Sequence, residues 1–233
     1  RARIIRIGQT TWLRHFDDRV GLSQEELARK SKEPACELPA LELLLQDGAH
    51  HVIARDAQDL PSPSFRFKVE IPPNLYNRGE LYNLLVPQGT LTHEERFKMH
   101  EHMIHGIMML ERMPFPESLK RVPEYAGTHH ENLLGTGYPR GLDATQLSVP
   151  ARIMVIADIF EALTASDRPY KTPKKFSEAL SILHSLKKKG LIDAELFDLF
   201  LSSGVHLQYA RKFLRPDQMD DIHIDDYLDS QTG

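Results

Sequence analysis

The hydrophobic and polar positions along the chain repeat with the period of an α-helix over most of its length. The clearest pattern begins at Thr92, where Glu95 completes a capping box, and apolar residues then recur every three or four positions until Pro114. Similar patterns predict further helices over 151–165, 176–189, 192–202 and 205–213. The sequence therefore predicts an all-α fold.

The two ends of the chain have weaker patterns. They predict short helices over 11–20 and 38–45, with another helix capped by Ser23 between them. Four prolines flank Phe65, Phe67 and Val69 over 61–73, which indicates an irregular or extended stretch, because proline cannot continue a helix. The tail after residue 215 contains six aspartates and no lysine or arginine, which predicts loose packing.

Composition excludes several functional classes. The 233 residues are 41% hydrophobic and 27% charged, as in ordinary globular proteins, and their net charge of −4 argues against binding to nucleic acids. Cys36 is the only cysteine, which excludes an intramolecular disulfide and fits a reducing compartment. No apolar run approaches the ~20 residues of a membrane span. We expect a cytoplasmic protein. The sequence begins at Arg1 without methionine, so the cytoplasmic part of a larger sensor is the other possibility.

The densest group of chemically active residues lies in the middle of the chain. His129, His130 and Glu131 are adjacent, and the glycine-rich turn GTGYP follows over 135–139. Neutral imidazoles ligate divalent metals, and glycine allows backbone conformations that other residues avoid. The pattern predicts a metal or ligand site.

Single acidic or histidine residues are interpreted by their surroundings. Asp158 lies in the apolar segment IMVIADIFEAL, where a carboxylate needs a partner or a metal. A lone histidine on a helix is more often an ordinary surface or core residue, and we interpret His100 and His105 in that way.

The segment HHENLLGTGYPRGL, which begins at His129, closely resembles the signature of HD-GYP domains, a branch of the HD phosphohydrolase superfamily. The segments 91–96 and 157–164 match the LTxEER and ADxFDALT motifs of that family. The resemblance covers roughly residues 75–189 and implies an HD-type helical bundle in a single compact domain. Residues 1–74 would then form an N-terminal helical part with a linker, and residues 190–233 the C-terminal helices and acidic tail.

The resemblance also implies roles for individual residues. Members of the family hydrolyse cyclic di-GMP at two or three divalent metal ions. The metal ligands implied here are His102, His129, His130 and Asp158. The residues implied to contact the substrate are Gly137, Tyr138, Pro139, Arg152, Arg168 and Lys171.

The chain departs from the family at the motif that gives the superfamily its name. Where the family has H-D-x-G-K, this chain has Tyr76-Asn77-Arg78-Gly79-Glu80, with Tyr82-Asn83 as an alternative placement. A neutral asparagine cannot replace the bridging aspartate, and Glu80 reverses the charge of the family lysine. The chain thus resembles a degenerate subgroup in which Tyr-Asn replaces His-Asp.

This departure leaves two functional hypotheses and no assigned catalytic residue. The first is a regulatory or interaction module of cyclic di-GMP signalling, with weak or no phosphodiesterase activity. It would hold at most one Fe, Mn or Zn ion. The second is an active phosphodiesterase for cyclic di-GMP or another nucleotide, with a rearranged metal site.

The glycine-rich turn has two interpretations as well. Leu134 stands where the family has an acid, and with Tyr138 and nearby arginines it predicts an exposed apolar tip with a basic rim. Such a surface fits docking of a GGDEF domain, which the family resemblance suggests as a partner. The alternative is that Leu134 packs inward and the turn only shapes the metal pocket. The sequence leaves homodimer formation open.

Overall fold

The computed structural model describes residues 1–166 and 172–228, and these residues are predominantly helical. The helices are α1 (Ala2–Gly8), α2 (Gln24–Lys30), α3 (Glu80–Leu84), α4 (His93–Leu110), α5 (Val122–Ala126), α6 (Val149–Thr164), α7 (Phe176–Lys188), α8 (Ala194–Ser202) and α9 (Val205–Phe213). The predicted all-α class is confirmed. None of the described helices is both long enough and apolar enough to cross a membrane.

The chain divides into two compact units. The first consists of Arg1–Ser62 and Glu70–His102, and the second of Pro63–Val69 and the described residues from Met103 onward. The predicted domain boundaries at residues 74 and 189 stay a prediction.

The first unit contains two pairs of short antiparallel strands. Strand β1 (Thr11–Arg14) pairs with β2 (Ala40–Leu43), and β3 (Val52–Ala54) pairs with β4 (Asn74–Asn77). The predicted helices over 11–20 and 38–45 are therefore wrong. Apolar residues at closely spaced positions fit a short strand as well as a helix, and pairing with a distant segment leaves no local pattern.

Helix α4 begins as the sequence predicts. The hydroxyl of Thr92 accepts the backbone N–H of Glu95 at 3.2 Å, and the Glu95 carboxylate accepts the backbone N–H of Thr92 at 2.9 Å. This reciprocal capping satisfies two N–H groups that the first turn leaves without helical partners. Ser23 and Glu26 cap α2 in the same way, which confirms that prediction.

The second unit is built around helices α6 to α9. Phe160 of α6 contacts the rings of Phe176, Phe200 and Tyr209, with centroid distances of 6.2, 5.2 and 5.3 Å. Each predicted helix of this region is present within a few residues of its predicted ends. Burial of Phe160 and Phe176, which are 2% and 1% exposed, contributes to the stability of this unit.

The acidic tail packs against this core, and the prediction of loose packing is wrong for its described part. The apolar residues that contact the core are Ile222, Ile224, Tyr227 and Leu228. The carboxylate of Asp220 also accepts the backbone N–H and the hydroxyl of Ser177, at 2.9 and 2.6 Å. The prediction from the sequence considered the aspartates of the tail and not the apolar residues between them.

Candidate metal site

Three of the predicted metal ligands come together. His102 of α4 and the adjacent His129 and His130, which follow α5, each offer a ring nitrogen within 4.8 Å of the others. His102 directly precedes Met103, the first α4 residue of the second unit, on one continuous helix. Among the described residues, no other group of three histidine, cysteine, aspartate or glutamate side chains has this spacing. Three imidazoles at such separations suit one divalent ion.

Backbone carbonyls select one neutral tautomer in two of these rings. The Nδ1 atom of His102 lies 2.5 Å from the carbonyl oxygen of Met99, and Nδ1 of His129 lies 2.7 Å from that of Ala126. Because a carbonyl oxygen only accepts hydrogen bonds, each Nδ1 carries the proton and each Nε2 carries the lone pair. This is the tautomer in which Nε2 ligates a metal.

The fourth predicted ligand, Asp158, lies beside the cluster. Its Oδ2 atom is 3.5 Å from Nδ1 of His130, and helix α6 presents it in a partly buried position. Asp158 is not one of the three residues whose ligand atoms lie within 4.8 Å of one another. Its role as a metal ligand therefore stays a prediction, while its charge lies next to a histidine of the cluster.

Tyr138 orients His130. The two rings are stacked, with centroids 4.9 Å apart and planes inclined by 27°, and the backbone N–H of Tyr138 donates to the carbonyl of His130 at 3.2 Å. Burial, with a smaller contribution from Asp158, raises the pKa of Tyr138 to about 12. The phenol therefore stays protonated at neutral pH.

Glu131 holds the loop that follows the Gly-Tyr-Pro turn. Its side chain is buried, with 2% exposure, and accepts the backbone N–H groups of Arg140, Gly141 and Leu142 at 2.7, 3.1 and 2.9 Å. Burial raises the pKa of Glu131, and these hydrogen bonds oppose the rise. Sequence reasoning missed this role. The available signal was that Glu131 is the only acid between the histidine pair and residue 142.

The turn packs directly against the histidine pair. A Cβ atom on Gly137 would lie 2.5 Å from Cα of Glu131 and 2.6 Å from the carbonyl oxygen of His130, so only glycine fits. Gly135 adopts a φ of 69°, in the left-handed region that favours glycine. The glycines of the motif thus have a structural explanation at this site.

Several predicted substrate contacts receive other roles. Pro139 is fully buried, and its predicted contact with a substrate stays a prediction. Arg152 donates from Nη1 to Asp193 at 2.8 Å and from its other nitrogens to the carbonyls of Leu147 and Ala144. These bonds fasten α6 to the preceding loop and to the start of α8. A phosphate contact of Arg152 stays a prediction.

The predicted contacts of Arg168 and Lys171 lie outside the described residues. Gly137 is partly buried, and Tyr138 is partly buried beneath its stack with His130. Their contact with a substrate stays a prediction.

The residues that replace the His-Asp pair make local structural contacts. The amide oxygen of Asn77, at the end of β4, accepts the backbone N–H of Gly79 at 3.0 Å. The carboxylate of Glu80, the first residue of α3, accepts the backbone N–H of Gln46 at 3.0 Å. At the alternative placement, the hydroxyl of Tyr82 donates to Glu94 at 2.8 Å. Each side chain thus stabilises its own part of the first unit.

The surface of the turn differs from both earlier interpretations. Leu134 is 57% exposed, so the alternative in which it packs inward is wrong, but the turn as a whole is not exposed because Pro139 is buried. The predicted basic rim is neutralised, since Arg121 pairs with Glu124 at 2.8 Å and Arg140 pairs with Glu111 at 2.6 Å.

Comparisons with known proteins identify the family of the chain. The model of a family described as HD domain matches residues 35–196. The chain is 34% identical over 145 residues to the 3'3'-cGAMP-specific phosphodiesterase 1 of Vibrio cholerae. The aligned residues make up 58% of this chain and 33% of the relative. It is 40% identical over 143 residues to a cyclic di-GMP phosphodiesterase of Thermotoga maritima, and the alignment covers 60% of this chain and 38% of that relative. A cyclic di-GMP phosphodiesterase of Pseudomonas aeruginosa is 34% identical to the chain over 148 residues, and the alignment covers 62% of this chain and 34% of that relative. The chain thus spans about a third of the length of these relatives.

Proposed function

Because this chain belongs to the HD domain family, we propose that it binds a cyclic dinucleotide beside one divalent metal ion and hydrolyses it weakly or not at all. It acts as a regulatory or interaction module of cyclic di-GMP signalling. The observation that carries the proposal is the cluster of His102, His129 and His130, formed in a chain without the His-Asp pair.

The donor set fits one Fe, Mn or Zn ion. His102 and His129 have the tautomer that presents Nε2, and three neutral imidazoles leave both positive charges of the ion uncompensated by the ligands. Asp158, next to His130, offsets part of that charge. The remaining positive charge favours an anionic ligand such as a phosphodiester. A bound ion would supply Lewis-acid polarisation of a phosphate oxygen.

Weak hydrolysis follows from the residues at the replaced motif. Asn77 is neutral and its amide oxygen is bonded to Gly79, while Glu80 adds a negative charge where the family has lysine. A second ion held by a bridging carboxylate is therefore not expected. Each ~1.4 kcal/mol of lost transition-state stabilisation slows the reaction about tenfold.

The alternative is an active phosphodiesterase with a rearranged metal site. The specific observation in its favour is that the three histidines keep a ligating arrangement in a chain whose relatives are named as phosphodiesterases. One divalent ion lowers the pKa of bound water to ~7 in suitable sites, so a single-ion reaction is chemically reasonable.

Binding and turnover of cyclic di-GMP and 3'3'-cGAMP separate the two candidates. With added Mn²⁺ or Fe²⁺, we expect calorimetric binding of at least one of them and turnover well below about 1 s⁻¹. Binding should weaken in His129→Ala and persist in His105→Ala, which removes an exposed histidine of α4 outside the cluster. Turnover of about 1 s⁻¹ or faster that depends on His129 would establish the alternative. Absence of binding would remove the cyclic dinucleotide from the proposal.

We also propose a GGDEF domain as the candidate partner, and exposed Leu134 is the observation in favour. The ion-paired arginines limit the contact to an apolar one. Titration with a GGDEF domain should lose binding in Leu134→Asp but not in Leu199→Asp, which alters a leucine of similar exposure, 58%, on α8. Equal binding by both variants, or none by the wild type, would remove this partner.

A further inference from the structure

The irregular segment Pro63–Val69 is fixed against the residues that follow the Gly-Tyr-Pro turn. The backbone N–H of Lys68 donates to the carbonyl of Pro139 at 2.7 Å, and Nε of Arg140 donates to the carbonyl of Phe65 at 3.1 Å. The Arg140 guanidinium also lies 5.6 Å from the centroid of the Phe67 ring. The segment is therefore an ordered wall of the second unit.

This wall forms one side of a groove of about 450 Å³, a volume within the usual range for small-molecule sites. The groove is lined by Ser64, Phe65, Arg66, Lys68, Arg140, Leu142 and Gln146. None of these residues belongs to the histidine cluster, so the groove and the candidate metal site have no residue in common.

The groove is positively charged although the whole chain has a net charge of −4. Of its three cations, Arg140 is paired with Glu111. Within 1–166 and 172–228, Arg66 and Lys68 form no salt bridge, and Asp143 attracts Lys68 only at longer range. Two exposed cations thus remain available to an anion, with the ring of Phe65 and the apolar Leu142 beside them.

The backbone at Arg66 is unusual. Its φ is 55°, in the left-handed region, and no other described non-glycine residue has a positive φ. Its N–H donates to the carbonyl of Pro63 at 3.1 Å, which closes a tight turn. A non-glycine residue in this conformation carries a conformational cost, and such residues concentrate at ligand-binding sites.

We propose that this groove binds a nucleoside phosphate. Arg66 and Lys68 hold the phosphate groups through charge-assisted hydrogen bonds, and the base lies against Phe65 and Leu142. A bare phosphate would use only the cationic part of the groove, whereas a nucleoside phosphate uses both parts. The proposal does not depend on the activity of the histidine cluster.

Calorimetric titration with GDP and with inorganic pyrophosphate tests this proposal. The double variant Arg66→Gly with Lys68→Ala should weaken GDP binding roughly tenfold or more, the effect of removing charge-assisted hydrogen bonds. Glycine adopts the φ of Arg66 without strain, so the fold is retained. The matched control, Lys32→Ala with Arg112→Ala, removes two exposed basic residues outside the groove and should bind GDP like the wild type.

GDP binding by the wild type should persist when EDTA removes divalent ions, which separates this groove from the histidine cluster. Equal GDP binding by the groove variant and the wild type, or equal loss in the control, would overturn the proposal. Loss of GDP binding in the presence of EDTA would do the same. Pyrophosphate binding as tight as that of GDP would contradict the nucleoside part.

Discussion

At the scale of single residues, the orientation of His130 depends on its neighbours in the glycine-rich turn. Tyr138 stacks on its ring, Gly137 packs against its carbonyl oxygen, and Asp158 lies 3.5 Å from its Nδ1 atom. Partners of this kind fix the direction of a ligand and raise metal affinity. The Gly-Tyr-Pro motif therefore has a role in shaping the histidine cluster that does not require a partner protein.

Tyr138→Ala should lower metal affinity by about 10- to 100-fold, because the ring that fixes His130 is lost. Tyr138→Phe should retain most of the affinity, since the stacked ring remains. Competition with a chelator of known affinity measures both variants. Equal loss in Tyr138→Ala and Tyr138→Phe would show that the hydroxyl, and not the stack, supports the site.

His206 should make stability depend on pH. It is fully buried, with rings of Phe176 and Phe200 5.9 and 5.8 Å away, and burial lowers its pKa. The unfolded chain then binds the proton more readily. The stability contributed by neutral His206 is complete above its unfolded pKa of about 6.5 and declines as pH falls below it.

Denaturant unfolding at about pH 7 and about pH 5 checks this expectation. His206→Phe keeps a flat ring in the same place, and its stability should decline less between the two pH values than that of the wild type. An equal decline in both proteins would show that other groups account for the pH dependence.

At the scale of elements, the sequence predicts those whose signals are local. The caps of α2 and α4 and the apolar period of α7 can be recognised without knowledge of the fold. Strands β1 and β2 escape prediction because four-residue strands have almost no period and their pairing is long-range.

In the candidate metal site too, the sequence predicts the residues that have a local signal. His129 and His130 are predictable from a conspicuous motif, whereas His102, a single histidine on a helix, is predicted only through the family resemblance. The role of Glu131 was missed because it depends on backbone N–H groups that only the folded loop presents. Burial of Pro139 was missed for the same reason.

The cap of α4 should contribute measurably to stability. Thr92→Ala should lower the free energy of unfolding by about 1 kcal/mol, because the N–H of Glu95 loses its partner. Thr90→Ala, two residues earlier and exposed, should leave the free energy unchanged. Urea denaturation followed by circular dichroism measures both. A matching loss in Thr90→Ala would contradict the capping explanation.

At the scale of the whole molecule, the acidic tail completes the core of the second unit. Its apolar residues pack against α7 and its neighbours, and Asp220 anchors it to Ser177 at the start of that helix. Asp220→Ala should destabilise the protein by about 1–2 kcal/mol, because both hydrogen bonds of Ser177 are lost. Asp221→Ala, at an adjacent exposed position, is the control and should have little effect. Similar unfolding free energies for both variants would contradict the anchoring role.

The most direct test of the central claim is the metal content of the protein purified without chelators. The single three-histidine cluster of the described residues and the neutral Asn77 lead us to expect no more than one divalent ion per chain. Elemental analysis should find that ion in the wild type and in His105→Ala, and should find it lost in His129→Ala. A stoichiometric pair of ions in each chain, or an ion retained by His129→Ala, would contradict the account.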